Sequence, residues 1–447
     1  METKILDKVN SPADLRGLNI DEMNTLSAEM RELIIKKVNA IGGHLAPNLG
    51  FVEATIALHY VFNSPIDKLV FDVSHQCYPH KILTGRKEGF TNPENYMKYT
   101  GYTAPEESAH DLFKVGHTST SVSLATGLAK GRDLRGGKEN IIAIIGDGSL
   151  SGGEAFEGLD NAAVLGSNII VIVNDNDMSI AKNEGGLYGN LKLLRDTNGE
   201  AECNFFKALG FEYHYLNDGH DIQAMIDLFN KVKDSNHPIL IHLRTIKGKG
   251  FEAAELDKEK YHWILPGTLD KKDNITQNSK TEDYGFITAD YIENKYNEDN
   301  TVIAISPATP AVSGFTPAFR DKAGIHYTDV GIAEEHAIAF ISGIAKNGGK
   351  PILGVMSSFI QRTYDQLSQD LALNNNPATI LVFWGAITGM DATHLTIFDI
   401  PLISNIPNMV YLAPTCKEEY VKMLDWSVEQ QDKPVAIRVP FGEVHTT

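Results

Sequence analysis

Two oxygen-bearing side chains follow two apolar segments of this chain at a spacing that suits a metal ion. Asp147 lies in a Gly-Asp-Gly turn after the apolar run 141–145, and Asn176, 29 residues later, closes an Asn-Asp-Asn turn after the run 169–173. Mg²⁺ binds through one or two protein oxygens together with phosphate oxygens. The glycines beside Asp147 let the backbone approach a phosphate closely. The pattern therefore predicts a Mg²⁺ ion held jointly by the protein and a diphosphate.

The elements around these residues predict where both side chains lie. The two runs are short and rich in β-branched residues, which is typical of buried parallel strands, and a helical segment at about 154–165 lies between them. Strand, helix and strand make a βαβ unit, whose crossover is right-handed. Asp147 and Asn176 would then lie at the carboxyl ends of neighbouring strands, where open α/β sheets bind ligands.

Length and composition bound the class of protein. With 447 residues, 42% hydrophobic and 22% charged, the chain is long enough for two or three domains with ordinary cores. A net charge of −18 argues against nucleic acid or a membrane surface as a partner, because both demand a basic surface. The charged amino terminus is unlike a signal peptide and no run approaches the ~18 apolar residues of a membrane span, so the cytoplasm is the expected location. Three widely spaced cysteines predict free thiols.

Seven short segments, in order along nearly the whole chain, carry a family resemblance. They are GGHLAPNLG (42–50), FDVSHQCYPHKILTGR (71–86), GHTSTS (116–121), IGDG (145–148), NDNDMSI (174–180), GIAEEH (331–336) and SSFIQRTYDQ (357–366). Together they resemble the 1-deoxy-D-xylulose 5-phosphate synthases, which are relatives of transketolase. The resemblance implies thiamine diphosphate and Mg²⁺ as cofactors.

The resemblance implies roles for residues of the diphosphate half of the site. Asp147 and Asn176 would bind the metal through their side chains and Met178 through its backbone carbonyl, while Ile180 would hold the cofactor in its bent form. Lys247 can reach a diphosphate, although an ordinary solvated lysine is the alternative. The implied cofactor-binding residues are His75, Gly116, His117, Thr118, Gly148, Ser149, Asn176, Ile180, Lys247, Glu334 and Phe359.

Three histidines are implied to act in catalysis. His44 and His75 follow the ends of two predicted elements, 31 residues apart, and His262 lies in a Tyr-His-Trp segment. Imidazole donates hydrogen bonds and moves protons near neutral pH, so these side chains suit contact with the cofactor and the donor carbonyl. Taken singly, a loop histidine is more often a structural hydrogen-bonding group, and we expect that role for His80.

A second set of residues would hold the organic ring of the cofactor. The segment 327–336 places a strand end before a helix that starts with two glutamates. Successive helix residues point about 100° apart, so only one can face the cofactor, and the resemblance implies Glu334. A buried carboxyl with a raised pKa would hydrogen-bond the ring and make the cofactor's amino group basic enough to take the thiazolium proton. Phe359 would stack on the ring, and Asp391 and His394 would act near the substrate entrance.

The substrate side departs from the family pattern. Arg362 and Arg438 are expected to bind substrate, Arg438 by a bidentate contact to a phosphate. Trp384 stands where the family has a second phosphate-binding arginine, and Met356 where it has a tyrosine. A phosphorylated acceptor would lose two contacts worth about 1.5–3 kcal/mol each.

Three functions stay open at this point. The first expectation is decarboxylation of pyruvate with transfer of a two-carbon unit to glyceraldehyde 3-phosphate or a similar aldehyde, a step towards isoprenoid precursors. Transketolase-type transfer from a ketose donor to another acceptor is the second. A cofactor-binding relative without turnover is the third, although the presence of the predicted metal ligands and of Glu334 weighs against it.

Composition also predicts the domain organisation. Residues 266–283 have almost no apolar content and read as a linker. We expect an α/β protein of two doubly wound, mostly parallel-sheet domains: 1–275 for the diphosphate and Mg²⁺, 276–283 as the end of the linker, and 284–447 for the pyrimidine ring. The family's third domain is expected to be absent or supplied by a separate chain, and a homodimer is implied. The polar, glycine-rich stretch 183–198 would replace most of the family's helical insertion.

Overall fold

The computed structural model of this chain divides into two compact units, Met1–Ile275 (unit 1) and Thr276–Thr447 (unit 2). The structure describes residues 4–270, 282–387 and 391–447. Most of the predicted linker lies outside the described residues. So do Gly389 and Met390, which precede Asp391 in the segment predicted near the substrate entrance. In the part of the chain that is described, no helix is long and apolar enough to cross a membrane.

Unit 1 is built on a five-stranded parallel sheet and a separate two-stranded ribbon. Its strands are β1 (Gly43–His44), β2 (Lys68–Phe71), β3 (Ile141–Gly146), β4 (Ile169–Asp175), β5 (Glu212–Leu216), β6 (Pro238–Arg244) and β7 (Trp263–Ile264). The sheet has the order β2-β3-β4-β6-β5, and β1 pairs antiparallel with β7. All residues of β4 are buried, as expected for a strand that is covered by helices on both faces.

Helices cover both faces of this sheet. They are α1 (Ile20–Ile41), α2 (Ala46–Leu49), α3 (Val52–Val61), α4 (Tyr78–Lys81), α5 (Glu88–Thr91), α6 (Ser121–Leu134), α7 (Gly153–Ala163), α8 (Gly186–Asp196), α9 (Phe205–Leu209), α10 (Ile222–Val232) and α11 (Glu252–Leu256). Ile142 and Ile144 of β3 face a core built with α1, α3 and α10. Ala143 and Ile145 face the opposite core, built with α6, α7 and α8. Side chains alternate across a strand, so one apolar run supplies both cores.

Helix α8 lies inside the stretch 183–198, which the sequence pattern predicted only as polar and glycine-rich. The helix begins after Gly185, whose φ of 122° strongly favours glycine. It buries Tyr188, Leu191 and Leu194, which are three residues apart and so share one face. The glycines at 186 and 189, which are typical of loops, concealed the helical period.

Unit 2 is a second doubly wound body. Its strands are β8 (Val302–Ser306), β9 (Tyr327–Asp329), β10 (Lys350–Met356), β11 (Thr379–Phe383), β12 (Val410–Leu412) and β13 (Val435–Arg438). They form one parallel sheet in the order β12-β13-β11-β10-β8-β9. Its helices are α12 (Tyr284–Glu298), α13 (Pro317–Ala323), α14 (Glu334–Lys346), α15 (Asp399–Ser404) and α16 (Lys417–Glu429).

The two faces of this second sheet also carry separate cores. Leu381 of β11 packs with α12, α13 and α16, whereas Ile380 and Val382 pack with α14 and α15. The predicted α/β class with doubly wound parallel sheets is therefore confirmed. Parallel strands end at one edge of their sheet, so the loops that follow them converge there. Most of the predicted site residues stand in such loops.

Candidate active site

Asp147 and Asn176 directly follow β3 and β4, which are paired neighbours. The Asp147 carboxylate is 1% exposed and accepts hydrogen bonds from the backbone N–H of Met178 at 3.0 Å and the side-chain amide of Asn183 at 2.7 Å. Oδ1 of Asn176 is buried and has no hydrogen-bond partner among the described residues. An unpaired buried carbonyl oxygen costs free energy, and a cation would satisfy it.

The electrostatics of Asp147 also favour a cation. Burial, reinforced by the nearby Asp175, raises the pKa of Asp147 well above its ordinary value. Asp175 already has partners: Arg195 donates to it at 2.6 and 2.9 Å, and the ring of His242 lies 2.7 Å away. Although burial acts in the opposite direction, the bond to His242 and the charge of Arg195 lower the pKa of Asp175. A divalent ion beside Asp147 would restore its carboxylate form.

The loop after β4 packs against the turn that carries Asp147. A Cβ on Gly148 would lie 2.6 Å from Cβ of Ser179, so this close approach requires glycine. Nζ of Lys247, from the loop after β6, donates to the carbonyl of Ser179 at 2.5 Å. Met178 and Ile180 flank Ser179 and are half-buried. The predicted metal ligands Asp147 and Met178 and the predicted diphosphate ligand Lys247, here called the metal-side residues, therefore lie close together.

Lys247 is 2% exposed. Burial lowers its pKa to about 7, even though the charge of Asp147 acts in the opposite direction. A buried amine that loses its charge so readily is stabilised as ammonium by an anion. A diphosphate would supply that anion.

The structure brings together three histidines that lie up to 218 residues apart in the sequence. The ring centroid of His44 is 4.9 Å from that of His75 and 5.4 Å from that of His262, and the latter two are 5.4 Å apart. His44 lies on β1, where it pairs with Trp263 of β7, and His262 directly precedes Trp263, so the ribbon brings the two histidines together. Burial, and then the charge of Lys247, lower the pKa of His262 well below its ordinary value. A neutral imidazole carries both a donor and an acceptor, as proton transfer requires.

The loop with Gly116, His117 and Thr118 is fixed to the carboxyl end of β2. Asp72 accepts hydrogen bonds from the backbone N–H groups of Ser119 at 2.8 Å and Ser121 at 3.0 Å. Oγ of Ser119 donates to the carbonyl of Ser149 at 2.8 Å, which ties the same loop to the turn after Asp147. The predicted residues of this loop and Ser149 therefore stand beside the metal-side residues.

His80 belongs to a separate buried network. Its Nε2 lies 2.9 Å from Asp111 and its Nδ1 lies 2.9 Å from His59. Arg86 donates to the same Asp111 carboxylate at 2.5 and 2.9 Å. This full set of partners agrees with the structural role expected for His80.

Glu334 begins α14 and is 4% exposed, whereas Glu335 is half-buried. Burial raises the pKa of Glu334, although the charge of Arg362, whose Nη1 lies 3.5 Å from Oε2, acts in the opposite direction. The turn before the helix is held by Asp329, which accepts from the backbone N–H of Gly331 at 2.9 Å. A carboxyl that keeps its proton can donate to a ring nitrogen, which is the role predicted for Glu334.

Phe359 and His394 are neighbours in unit 2. Their ring centroids are 5.7 Å apart in an edge-to-face arrangement. The Asp391 carboxylate accepts from the backbone N–H of Thr393 at 3.0 Å and from its hydroxyl at 2.9 Å. Asp391 thus caps the short turn that carries His394, and its direct action on substrate stays a prediction.

The guanidinium of Arg438 is engaged inside unit 2. Nε donates to Asp399 at 2.9 Å, Nη1 to the carbonyl of Gly385 at 2.5 Å and Nη2 to the carbonyl of Thr396 at 2.8 Å. These bonds brace the loops after β11 and β13. These bonds use three of the five guanidinium N–H groups, and the phosphate contact predicted for Arg438 stays a prediction.

The two departures from the family pattern lie at the ends of neighbouring strands. Trp384, at a φ of 63° after β11, packs its ring against Phe441 at a centroid distance of 5.1 Å. Met356 ends β10 and is buried. Neither side chain carries a charge for a phosphate.

Several buried polar residues that sequence reasoning missed hold the site loops of unit 1. Asp72 and Asn48 are both buried, as is Ser74, whose Oγ donates to the carbonyl of Val115 at 2.8 Å. Val73 and Ser74 have positive φ values of 55° and 64°, which is strained for a β-branched residue such as valine. Asp72, Asn48 and Ser74 each lie within one of the seven segments of the family resemblance, and this was the only signal in the sequence that pointed to them.

Comparisons with known proteins cover both units. The family model described as 1-deoxy-D-xylulose-5-phosphate synthase matches residues 6–203, the transketolase thiamine diphosphate binding domain matches 118–297, and the transketolase pyrimidine binding domain matches 283–445. The 1-deoxy-D-xylulose-5-phosphate synthase of Halothermothrix orenii is 39% identical over 98% of this chain and 74% of its own length. The chain belongs to the 1-deoxy-D-xylulose-5-phosphate synthase family.

A second curated relative agrees with this membership. 1-Deoxy-D-xylulose-5-phosphate synthase 1 of Geobacter metallireducens is 39% identical over 98% of this chain and 76% of its own length. A crystal structure of transketolase from Campylobacter jejuni aligns with 96% of this chain and 79% of its own, at 19% identity and a TM-score of 0.44. The family resemblance drawn from the seven segments is confirmed. As a member of the synthase family, the chain is a thiamine diphosphate-dependent transferase of two-carbon units.

The residues of unit 1 fit the metal and diphosphate that this synthase family uses. They offer the Asp147 carboxylate, the unpaired Oδ1 of Asn176, a turn at Gly148 with no room for a Cβ, and the buried amine of Lys247. Among the described residues, no group of three His, Cys, Asp or Glu side chains could hold a metal. The remaining ligands would be the carbonyl of Met178 and diphosphate oxygens.

Lys247→Met should stabilise the cofactor-free protein and weaken diphosphate binding. The pKa of Lys247 is about 7 in the folded state against an ordinary 10.5, so the unfolded state binds more protons between these values. The cost of burying the amine is therefore full below pH 7 and vanishes above pH 10.5. We expect a gain in the free energy of unfolding of about 1–3 kcal/mol at pH 7 that shrinks as the pH rises. Urea unfolding at about pH 7 and pH 9.5 measures it.

Lys249→Met is the matched control, because Lys249 is half-buried in the same loop. It should change the free energy of unfolding equally at both pH values. A Lys247→Met protein that is less stable than wild type, or whose gain does not depend on pH, would contradict the prediction.

Proposed function

We propose that this chain decarboxylates pyruvate and joins the remaining two carbons to glyceraldehyde 3-phosphate or a similar short aldehyde. One pyruvate, one aldehyde and one proton give CO₂ and a 1-deoxyketose. The observation that carries the proposal is the match over 98% of the chain to relatives named 1-deoxy-D-xylulose-5-phosphate synthase. The histidine cluster and buried Glu334 support it chemically.

Bound thiamine diphosphate supplies a carbon nucleophile for the donor carbonyl and accepts the electron pair left when CO₂ departs. Asp147, Asn176 and the carbonyl of Met178 would hold the cation on its diphosphate. Lys247 would pair with a diphosphate oxygen. Glu334 would keep a proton in a hydrogen bond to the pyrimidine ring, because burial raises its pKa.

The three clustered histidines would act on the substrates. A neutral His262, beside His44 and His75, could donate to a carbonyl oxygen and exchange a proton with it. All three residues are half-buried, so the cluster is accessible to a substrate. The cluster thus supplies acid–base groups for both the donor and the acceptor carbonyl.

An isotope experiment tests the reaction. The protein is incubated with thiamine diphosphate, Mg²⁺ and pyruvate labelled at its carboxyl carbon, with and without glyceraldehyde 3-phosphate, and products are identified by mass spectrometry. We expect labelled CO₂ and an unlabelled five-carbon ketose phosphate. If no CO₂ is released and a ketose phosphate is consumed instead, transketolase-type transfer replaces this proposal.

A second candidate concerns the acceptor. Trp384 and Met356 carry no charge for a phosphate, and three of the five N–H groups of Arg438 already bind groups of the protein, which favours an acceptor without a phosphate. Comparing kcat/KM for glyceraldehyde and for glyceraldehyde 3-phosphate decides between an unphosphorylated and a phosphorylated acceptor. A preference for the phosphorylated aldehyde would exclude this candidate. Cofactor binding without turnover of any donor would favour the non-catalytic alternative.

We also infer that the enzyme acts as a homodimer. The family resemblance supports this inference. Light scattering should give twice the 49.1 kDa of one chain, and a mass of one chain would contradict this inference. The free cysteines, Cys77, Cys203 and Cys416, support a location in the cytoplasm.

A further inference from the structure

Asn48 joins the backbone at His44, on β1, to the loop that carries His75. Its side-chain amide donates to the carbonyl of His44 at 2.9 Å and to the carbonyl of His75 at 2.7 Å. Its Oδ1 accepts from the backbone N–H of Tyr78 at 2.9 Å. Asn48 is 0% exposed, and these bonds use both donors and the acceptor of the amide.

A second contact restricts the position of the backbone just before His44. A Cβ on Gly43 would lie 2.9 Å from the hydroxyl of Tyr78, so the backbone before His44 lies close against that hydroxyl. The backbone N–H of Tyr78 is the group that Asn48 accepts from. The position of His44 is thus set from two sides.

We propose that Asn48 is a positioning residue for the reaction, which fixes the separation of His44 and His75 by binding both of their carbonyl groups. The proposal rests on the proposed function, in which these rings contact substrate. The rings lie 4.9 Å apart, one on β1 and the other on the loop after β2, and only the intervening chain links them covalently. A side chain with two donors is needed to hold two carbonyls, and among short polar side chains only a carboxamide has both donors and the acceptor for Tyr78.

Asn48→Asp keeps the shape and the acceptor but removes both donors. The carboxylate would then face two carbonyl oxygens and push the histidine loops apart. We expect kcat with pyruvate to fall about 10- to 100-fold at pH 7.5, since small misplacements of reacting groups have effects of this size. The affinity for thiamine diphosphate should fall less than kcat does, because Asp147, Asn176 and Lys247, which would hold its metal and diphosphate, are untouched.

The pH dependence of activity distinguishes a positioning role of Asn48 from a simple loss of stability. Once protonated, the carboxyl introduced by Asn48→Asp has one O–H and can donate to one of the carbonyls again. The activity of Asn48→Asp relative to wild type should therefore rise several-fold between pH 8 and pH 6. The titratable groups facing it are His44 and His75, which are present in both proteins, and Tyr78, whose pKa is raised by burial. Asn48→Ala should lose activity with a ratio to wild type that does not depend on pH.

Asn140→Asp is the matched control. Asn140 is 2% exposed and is also bound on several sides, to Asp67 and Asp234 at 3.0 Å and to Asn168 at 3.2 Å, but it precedes β3 at the end opposite Asp147. The substitution should lower the melting temperature and leave kcat of the folded protein within twofold. The same kcat loss in this control would overturn the proposal. So would an Asn48→Asp protein with unchanged kcat or a deficit independent of pH.

A separate measurement keeps this inference apart from the proposed function. If wild type does not act on pyruvate, the proposed function fails, and NMR of the histidine rings in the cofactor-free protein then tests Asn48 directly. Asn48→Asp should shift the ring signals of His44 and His75 and leave that of His242 in place. Unshifted signals of both rings would overturn the inference.

Discussion

Glu334→Gln should lower kcat about 10²- to 10⁴-fold while the fold and the affinity for the diphosphate stay the same. The carboxyl of Glu334 is buried and its pKa is raised, so it can share a proton with a ring nitrogen. Glutamine has the same shape and can donate a hydrogen bond, but it has no acidic proton to share. Turnover of pyruvate at saturating thiamine diphosphate and Mg²⁺, with circular dichroism as a check of the fold, measures the effect.

The neighbouring glutamate provides the control. Glu335→Gln changes the next residue of the same helix turn, which is half-buried, and should leave kcat within about twofold. Stability gives a second readout for Glu334. Because burial raises its folded pKa above the ordinary 4.5, the carboxylate destabilises the folded state as the pH rises above that value. Glu334→Gln should therefore be at least as stable as wild type at pH 8, with the difference vanishing near pH 4.5. Unchanged turnover would refute the role of Glu334.

Asp147→Asn should abolish most of the metal-dependent binding of thiamine diphosphate. The substitution keeps the size of the side chain and an oxygen that can accept hydrogen bonds from Met178 and Asn183. It removes the negative charge that a divalent cation needs. We expect the affinity for the cofactor in the presence of Mg²⁺ to fall about 100-fold or more. Calorimetric titration of wild type and variant, with and without Mg²⁺, measures this loss.

The same variant should be more stable without cofactor. Burial and Asp175 raise the pKa of Asp147, so its carboxylate destabilises the empty protein at any pH above the ordinary 3.8. We expect Asp147→Asn to gain about 1–3 kcal/mol of unfolding free energy at pH 7.5 and nothing near pH 4. Asp160→Asn, on the exposed face of α7, is the control and should change neither quantity. A variant that binds cofactor as wild type does, in the presence of Mg²⁺, would remove Asp147 from the metal site.

Local patterns predicted the sheets because buried parallel strands have continuous apolar runs. The run 141–145 became β3 and the run 169–173 became β4, with boundaries shifted by at most two residues. The helix expected at about 154–165 is α7, Gly153–Ala163. Helix α8 escaped prediction because only three of its eleven residues are buried and it contains two glycines, which are typical of loops.

The sequence by itself determined the family, the fold class, the cofactor and the strand ends on which Asp147 and Asn176 stand, because each depends on residues close together in the chain. Only the tertiary structure decided that His44, His75 and His262 meet, that Asn48 holds two of them, and that the guanidinium of Arg438 turns inwards. These contacts join distant loops through side-chain bonds to backbone carbonyls. Such bonds leave no periodic pattern in the sequence, so folding alone reveals them.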